Sequence, residues 1–212
     1  MKLVSFTAQG NSGFGAISGD KIIDLTGRVN GAKTLKQLIE NDAINEARAY
    51  ADSNQADINT SEVTFLPVIP DPEKIICVGL NYHEHVNETG RTIEENPCIF
   101  LRYPDSQIGH NEPIIRPKVS DNLDYEAEMA IIMGGGGRHI DPENALDHIV
   151  GYSCYNEGTI RDWQRHTRQF GMGKNFMHTG AFGPWMVTAD EIPDHTKLNI
   201  AMRLNGKVMQ SA

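Results

Sequence analysis

Two glutamates at the start of a short apolar run constrain the fold of this chain more than any other feature. Glu126 and Glu128 stand two residues apart, and the apolar run covers residues 129–133. The run is short and partly β-branched, which predicts a buried β-strand. Because residues i and i+2 of a strand point to the same face, both carboxylates are directed into one space at the edge of a core.

Carboxylates held that close together need a compensating charge. Like charges repel each other, and burial raises the free energy of the charged forms further. A bound cation would relieve both effects, and Glu157 in a later segment is a candidate third carboxylate. Three carboxylates without a cysteine or histidine at ligand spacing favour Mg²⁺ or Mn²⁺ over zinc. The alternative, which the spacing alone leaves open, is the solvated face of an edge strand.

The composition describes a globular protein with excess negative charge. The chain has 212 residues, which predicts one domain or one domain with a small appendage. It has 28 acidic and 19 basic residues and a net charge of −9, so a nucleic-acid partner is not expected. We also expect no membrane partner, because no apolar run approaches the length of a membrane span and the start lacks a signal-peptide core.

The cysteines indicate the compartment. Three of them are widely spaced and odd in number: Cys77, Cys98 and Cys154. This pattern favours free thiols in a reducing environment over a disulfide framework. We therefore predict a cytoplasmic protein.

A change of character near residue 70 divides the chain. Residues 13–24 predict a β-hairpin, and residues 34–52 predict one helix with Thr34 as its N-cap. A polar, proline-bearing stretch follows and indicates a linker. We predict a small N-terminal α/β domain over residues 1–70 that packs on a β-rich domain over residues 71–212.

The second part of the chain alternates strand and helix signals. Apolar runs predict strands at residues 75–78, 98–101 and 198–204. Asp141, followed by proline, predicts the start of a helix, and residues 158–170 predict another. Near the end, an Asn-Gly pair predicts a tight hairpin turn.

Three further groups have residue types suited to catalysis. His85 and Glu88 are three residues apart, so one helical turn would place a carboxylate beside an imidazole as a general base. A surface turn is the alternative. Arg161 and Gln164 form a polar set that would equally suit a solvated helix face. Lys174 follows glycines but does not fit a phosphate-binding loop.

Taken together, these residues follow an order that closely resembles the fumarylacetoacetate hydrolase family, from about residue 74 to the end. The order is Gly79-Leu-Asn-Tyr-x-x-His85-x-x-Glu88, Tyr125-Glu126-x-Glu128, Gly151-Tyr-x-x-x-Asn156-Glu157-x-x-x-Arg161-Asp162-Trp163-Gln164, Gly173-Lys174 and Gly183-Pro184-Trp185.

The resemblance implies an α+β fold with a mixed β-roll catalytic domain, a smaller N-terminal domain and a homodimer. It implies Mg²⁺ or Mn²⁺ held by Glu126, Glu128 and Glu157, and substrates that are 2-oxo or 2,4-dioxo acids. Reactions of the family include C–C bond hydrolysis, decarboxylation and isomerisation. The family continues beyond the last residue here with further strands and an active-site loop, so we expect the C-terminal part to be missing.

Two positions depart from the family pattern. The third ligand is commonly Asp, and Glu157 is longer by one methylene group. Arg102 stands where many relatives have Lys, and its planar guanidinium would grip a substrate carboxylate with two parallel hydrogen bonds.

The resulting hypothesis is a metal-dependent hydrolase that cleaves the C–C bond of a 2,4-dioxo acid of the acylpyruvate type. His85, oriented by Glu88, would take a proton from water, and Lys174 would add positive charge beside the enolate that leaves. The substrate would be positioned by Arg102, Arg161 and Gln164. The alternatives are a 2-oxo acid decarboxylase, a dienoate isomerase and a noncatalytic, metal-stabilised ligand-binding module.

Overall fold

The computed structural model describes residues 1–82 and 95–212. Within these residues the fold is α+β and is dominated by a mixed β-sheet, as predicted. The strands are β1 (Lys2–Ala8), β2 (Asn11–Ser18), β3 (Lys21–Asp24), β4 (Ile58–Asn59), β5 (Thr64–Phe65), β6 (Ile75–Gly79), β7 (Cys98–Arg102), β8 (Gln107–Ile108), β9 (Leu123–Asp124), β10 (Ala127–Met133), β11 (Ile149–Glu157), β12 (Thr159–Ile160), β13 (Gly180–Phe182), β14 (Met186–Thr188), β15 (Ala201–Leu204) and β16 (Lys207–Ser211).

The described helices are short. The α-helices are α1 (Leu35–Glu40), α2 (Ile44–Ser53), α3 (Arg161–Gln164) and α4 (Gly171–Lys174). The 3₁₀ helices span Thr60–Glu62, Pro104–Ser106, Pro142–His148, Ala189–Glu191 and His195–Lys197.

The largest sheet joins the N-terminal strands to strands of the second part of the chain. Its ten strands run in the order β4-β3-β2-β1-β14-β11-β13-β8, with β10 beside β11 and β5 beside β1. Its pairs are antiparallel except β13 with β8, which are parallel. Three further two-stranded sheets consist of β6 with β7, β9 with β12, and β15 with β16.

The N-terminal predictions hold with one change. The hairpin of β2 and β3 forms, and the side chain of Thr34 caps α1 by accepting a hydrogen bond from the Gln37 backbone nitrogen. The predicted helix over residues 34–52 is divided into α1 and α2. Asp42 lies between them with a positive φ of 51°, a conformation that ends a helix and that Asp adopts more readily than most residues.

The predicted helix over residues 158–170 is wrong for most of its length. Thr159 and Ile160 instead form β12, which pairs with β9, because both are β-branched and fully buried. The helix predicted at Asp141 is a 3₁₀ helix, and Asp141 makes no side-chain capping bond. The other predicted strands form as β6, β7 and β15, and β15 begins only at Ala201.

The N-terminal strands share one core with the strands that follow. Leu3 on β1 is paired with Met186 on β14, and neither side chain is exposed. Both belong to a core cluster that also contains Leu35 and Leu38 of α1 and Phe182 of β13. This agrees with the expected packing of the first segment on the second, and a domain boundary near residue 70 stays a prediction.

The cysteines and the helix lengths bear on predictions made from the sequence. Cys77, Cys98 and Cys154 are free thiols. Across residues 1–82 and 95–212, no helix is both long and apolar enough to cross a membrane.

We expect Met186→Ala to lower the free energy of unfolding by about 2–5 kcal/mol, because it opens a cavity where β1 meets β14. Met177→Ala is the matched control, since the Met177 side chain is 65% exposed. Urea unfolding of both variants measures the difference. Equal stability of the two would contradict the shared core.

Candidate metal centre

The pairing of β10 with β11 brings three glutamates to one face of the sheet. Ala127 lies opposite Asn156, and the Glu157 backbone nitrogen donates a 2.9 Å hydrogen bond to the Glu126 carbonyl oxygen. Glu126 and Glu157 therefore face each other across the ladder. Glu128 is two residues further along β10, so it points to the same side.

The three carboxylates converge. One oxygen from each of Glu126, Glu128 and Glu157 lies within 4.8 Å of the others. Glu157 is buried, while Glu126 and Glu128 are half-buried. The spacing argument and the family resemblance thus identified residues that are together in space, and metal binding by them stays a prediction.

Lys174 lies between two of these carboxylates. Its ammonium nitrogen is 2.7 Å from Glu126 Oε2 and 3.0 Å from Glu157 Oε2, and its side chain is 3% exposed. Gly173 makes this position possible, because a Cβ there would lie 2.5 Å from the Ile160 carbonyl oxygen. The missing side chain allows α4 to pack against the start of α3.

Arg161 supplies a second cation on the opposite side of Glu126. Its NH1 lies 2.6 Å from Glu126 Oε1 and donates a 3.1 Å hydrogen bond to Gln164 Oε1. Burial alone would raise the pKa of Glu126. The positive charges of Lys174 and Arg161 outweigh it and hold that pKa below its ordinary value.

Glu128 is in the opposite electrostatic situation. Among the described residues it forms no ion pair, and burial together with the charges of Glu157 and Glu126 raises its pKa from 4.5 to about 7. Because two glutamates of the set are compensated and Glu128 has no counter-ion among residues 1–82 and 95–212, a positive group beside Glu128 would be favourable.

The donor set fits a hard divalent cation. Its ligand atoms are carboxylate oxygens, which Mg²⁺ and Mn²⁺ prefer. Within the described part of the chain, Glu157 Oε1 is buried and has no hydrogen-bond donor. A buried carboxylate oxygen normally has a partner, so a ligand for this atom is chemically reasonable.

The other predicted site residues have different positions. Arg102 is buried beneath Glu157, with NH1 3.6 Å from Glu157 Oε1. Arg161 and Gln164 are partly exposed beside Glu126. Substrate binding by these three stays a prediction, and the predicted catalytic pair His85 and Glu88 lies outside the described residues.

Two contributors to the site were not predicted from the sequence. Asp124 accepts a 2.8 Å hydrogen bond from Arg161 Nε, and the Thr159 hydroxyl lies 3.2 Å from Glu126 Oε1. A signal for both existed, because Asp124 continues the alternation of Glu126 and Glu128, and Thr159 stands two residues after Glu157.

A comparison with protein families finds one match over the second part of the chain. Residues 74–212 match the family described as fumarylacetoacetate (FAA) hydrolase, C-terminal. Among curated proteins, the mitochondrial oxaloacetate tautomerase fahd2 of Xenopus laevis is 38% identical over 172 residues, which cover 80% of this chain and 54% of that protein. The chain thus spans about half the length of the curated relatives it matches.

Solved structures agree with the family match. Fumarylacetoacetate hydrolase from Exiguobacterium antarcticum is 32% identical with a TM-score of 0.80, over 100% of this chain and 75% of that one. Maleylpyruvate hydrolase from Sphingobium sp. SYK-6, solved in complex with manganese(II) ion and pyruvate, is 26% identical with a TM-score of 0.82, over 100% of this chain and 76% of that one.

The raised pKa of Glu128 predicts how pH affects the metal-free protein. Between its ordinary pKa of 4.5 and about 7, folded Glu128 keeps a proton that the unfolded chain has lost. Stability contributed by this group therefore falls as pH rises through that window. In EDTA, we expect the melting temperature of Glu128→Gln relative to wild type to rise from pH 5 to pH 8.

Metal should reverse this trend, because ligands bind as carboxylates and the proton leaves. Mn²⁺ should raise the melting temperature of wild type more at pH 8 than at pH 6. Glu143→Gln, at an exposed position, is the control and should follow wild type. Parallel pH profiles of Glu128→Gln and wild type in EDTA would contradict the assigned electrostatics.

Proposed function

The chain belongs to the fumarylacetoacetate hydrolase family, and we propose that it is a divalent-metal-dependent enzyme acting on a 2-oxo acid through its enolate. The observation that carries the proposal is the convergence of Glu126, Glu128 and Glu157 beside the Lys174 ammonium group. The chain spans about half the length of its curated relatives. The activity is therefore proposed for the whole protein, with its site formed by these residues.

The protein groups suit stabilisation of an enolate. Bound to the three carboxylates, Mg²⁺ or Mn²⁺ would supply Lewis-acid polarisation of a 2-oxo carbonyl. Lys174 holds a fixed positive charge against Glu126 and Glu157 and is shielded from water, so it can balance charge that develops on the substrate oxygen. Arg161 and Gln164 are partly exposed beside Glu126, where they can position a substrate carboxylate.

Keto–enol tautomerisation of a 2-oxo diacid of the oxaloacetate class is the reaction we place first. Curated relatives that are 38% and 37% identical are oxaloacetate tautomerases. Tautomerisation needs the enolate and a group that moves one proton, with no bond to carbon broken apart from C–H. The site described above provides the charge stabilisation that this reaction needs.

Hydrolysis of the C–C bond of an acylpyruvate is the second candidate. The solved relatives that favour it are the fumarylacetoacetate hydrolase and the maleylpyruvate hydrolase, and the latter was crystallised with manganese and pyruvate. Hydrolysis needs an activated water in addition to the enolate site. In this proposal His85 is the general base and Glu88 orients it, as the sequence pattern implies.

Other parts of the sequence-based prediction remain proposals. A 25% identical solved relative is a 5-carboxymethyl-2-hydroxymuconate δ-isomerase, so dienoate isomerisation belongs in the test, together with 2-oxo acid decarboxylation. A noncatalytic ligand-binding module is the outcome if all four reactions fail. The homodimer and the cytoplasmic location are also proposals. The free thiols favour a reducing compartment, and several curated relatives are mitochondrial by name.

A substrate panel tests the function. We expect the protein to act on enol-oxaloacetate or an acylpyruvate in the presence of Mg²⁺ or Mn²⁺ and to lose the activity in excess EDTA. The panel contains oxaloacetate, two acylpyruvates and a dienoate, each followed by absorbance of the enol or by product analysis. Activity that survives complete metal removal would contradict the proposed role of the carboxylates.

Lys174→Met should reduce turnover by about 10²–10³-fold, the usual effect of removing one preorganised electrostatic group. Mn²⁺ affinity should not fall, because the variant removes a cation from between two ligands. Lys197→Met is the matched control, since Lys197 is an exposed lysine paired with Asp194. Steady-state kinetics and calorimetry separate the two effects, and full turnover in Lys174→Met would exclude the proposed role.

His85→Ala tests the general base of the hydrolysis candidate. We expect acylpyruvate hydrolysis to fall by about 10²–10⁴-fold if His85 activates water, with Mn²⁺ binding intact. Glu88→Gln should have a smaller effect, because it keeps a hydrogen-bond acceptor. Rates from pH 5 to pH 9 are the measurement. If His85→Ala hydrolyses the substrate at the wild-type rate, and its rate falls at low pH as that of wild type does, His85 is not the general base.

A further inference from the structure

Arg102 is a fully buried charge that is held by the protein on several sides. Its Nε donates to Ser106 Oγ at 3.3 Å, NH1 to the Gly158 carbonyl oxygen at 3.3 Å, and NH2 to Thr179 Oγ1 at 2.9 Å. Three separate acceptors thus fix the plane of the guanidinium, and none of them is a carboxylate.

An aromatic ring and a glycine also shape the space around the Arg102 guanidinium. The Tyr155 ring lies below the guanidinium, with its centroid 5.7 Å from the central carbon. Gly180 leaves the space for the group, since a Cβ there would lie 2.8 Å from Arg102 NH2. The guanidinium position is therefore set by Ser106, Gly158 and Thr179 and not by Glu157 alone.

The two oxygens of Glu157 have different partners. Oε2 accepts a 3.0 Å hydrogen bond from Lys174, whereas Oε1 is 3.6 Å from Arg102 NH1. A guanidinium that is free to move approaches a carboxylate until the N–O distance is about 2.7–2.9 Å, and its N–H groups then occupy lone pairs of the carboxylate oxygens. Here the charges are paired, yet Oε1 has no hydrogen-bond donor within the described residues.

We propose that Arg102 is a positioning residue of the metal centre, which balances the buried charge of Glu157 while its own tethers keep Oε1 open for a metal ion. Arg102 acts through Glu157 and does not contact substrate in this role. The inference rests on the metal centre of the proposed function and adds a residue that holds one of its ligands.

The distance of 3.6 Å between Arg102 NH1 and Glu157 Oε1 matters, because balancing the charge of Glu157 and leaving Oε1 available to a metal ion are conflicting requirements. A buried carboxylate without a positive neighbour is strongly destabilising. A carboxylate oxygen that accepts a close hydrogen bond from arginine is less available to a metal ion. Holding the guanidinium at 3.6 Å by Ser106, Gly158 and Thr179 satisfies both requirements.

Thr179→Val tests the tether without changing any charge. The variant keeps the side-chain volume and removes the acceptor of Arg102 NH2, so the guanidinium can close on Glu157 Oε1. We expect the Kd for Mn²⁺ to rise by about 10–100-fold, the range for lost outer-shell partners of a metal site. Titration of the protein with Mn²⁺, followed by the electron paramagnetic resonance signal of the free ion, measures it.

Thr188→Val is the matched control. Thr188 is also a buried threonine whose hydroxyl accepts a hydrogen bond from an arginine, Arg48, away from the glutamates. It should bind Mn²⁺ as wild type does. If Thr179→Val binds Mn²⁺ as tightly as Thr188→Val, the inference is overturned and the metal centre stands. If wild type binds no Mn²⁺, the metal centre itself is wrong, and the inference with it.

A double variant tests the charge balance in the metal-free protein. Arg102→Met leaves buried Glu157 with Lys174, which it shares with Glu126, as its remaining described cation, and adding Glu157→Gln removes the under-compensated charge. We expect Arg102→Met/Glu157→Gln to melt at a higher temperature than Arg102→Met alone. A double variant that folds where the single one does not is the same rescue. A double variant that melts at or below the temperature of Arg102→Met would show that Arg102 contributes packing only and would overturn the proposal.

Discussion

The contact of the Lys174 ammonium group with two glutamates organises the site. Lys174 lies 2.7 Å from Glu126, which directly precedes β10, and 3.0 Å from Glu157, the last residue of β11. Without a cation between them, two carboxylates on adjacent strands of a buried face would repel each other. Lys174 thus allows β10 and β11 to pair directly at the point where their acidic residues meet.

The positive charges around the three glutamates are unevenly distributed. Glu126 has Lys174 and Arg161 as partners, and Glu157 has Lys174 and Arg102. Glu128 forms no ion pair with any described residue, and its pKa is raised to about 7. The described residues therefore supply fixed cations for two of the three carboxylates, which fits the proposal that a divalent ion completes the site.

How far the sequence predicted the site depends on the range of each interaction. The alternation of Glu126 and Glu128 predicted a shared face, because the period of a strand is a local property. The prediction that Glu126 and Glu128 share a site with Glu157 and Lys174 came from the order of residues that resembles a known family. The helix over residues 158–170 was predicted wrongly, since Thr159 and Ile160 gain more from pairing with β9 and from burial than from helix propensity.

The sequence by itself determined the class of the protein: an α+β chain with acidic residues in a strand pattern, the cap of α1 by Thr34, and the hairpins. Each of these depends on neighbours within a few residues. Only the tertiary structure decided that β1 joins β14, that the Arg102 guanidinium is buried below Glu157 at 3.6 Å, and that Glu128 lacks a described counter-ion. The physical reason is that charge pairing and burial depend on distances between residues far apart in the chain, such as the 55 positions from Arg102 to Glu157.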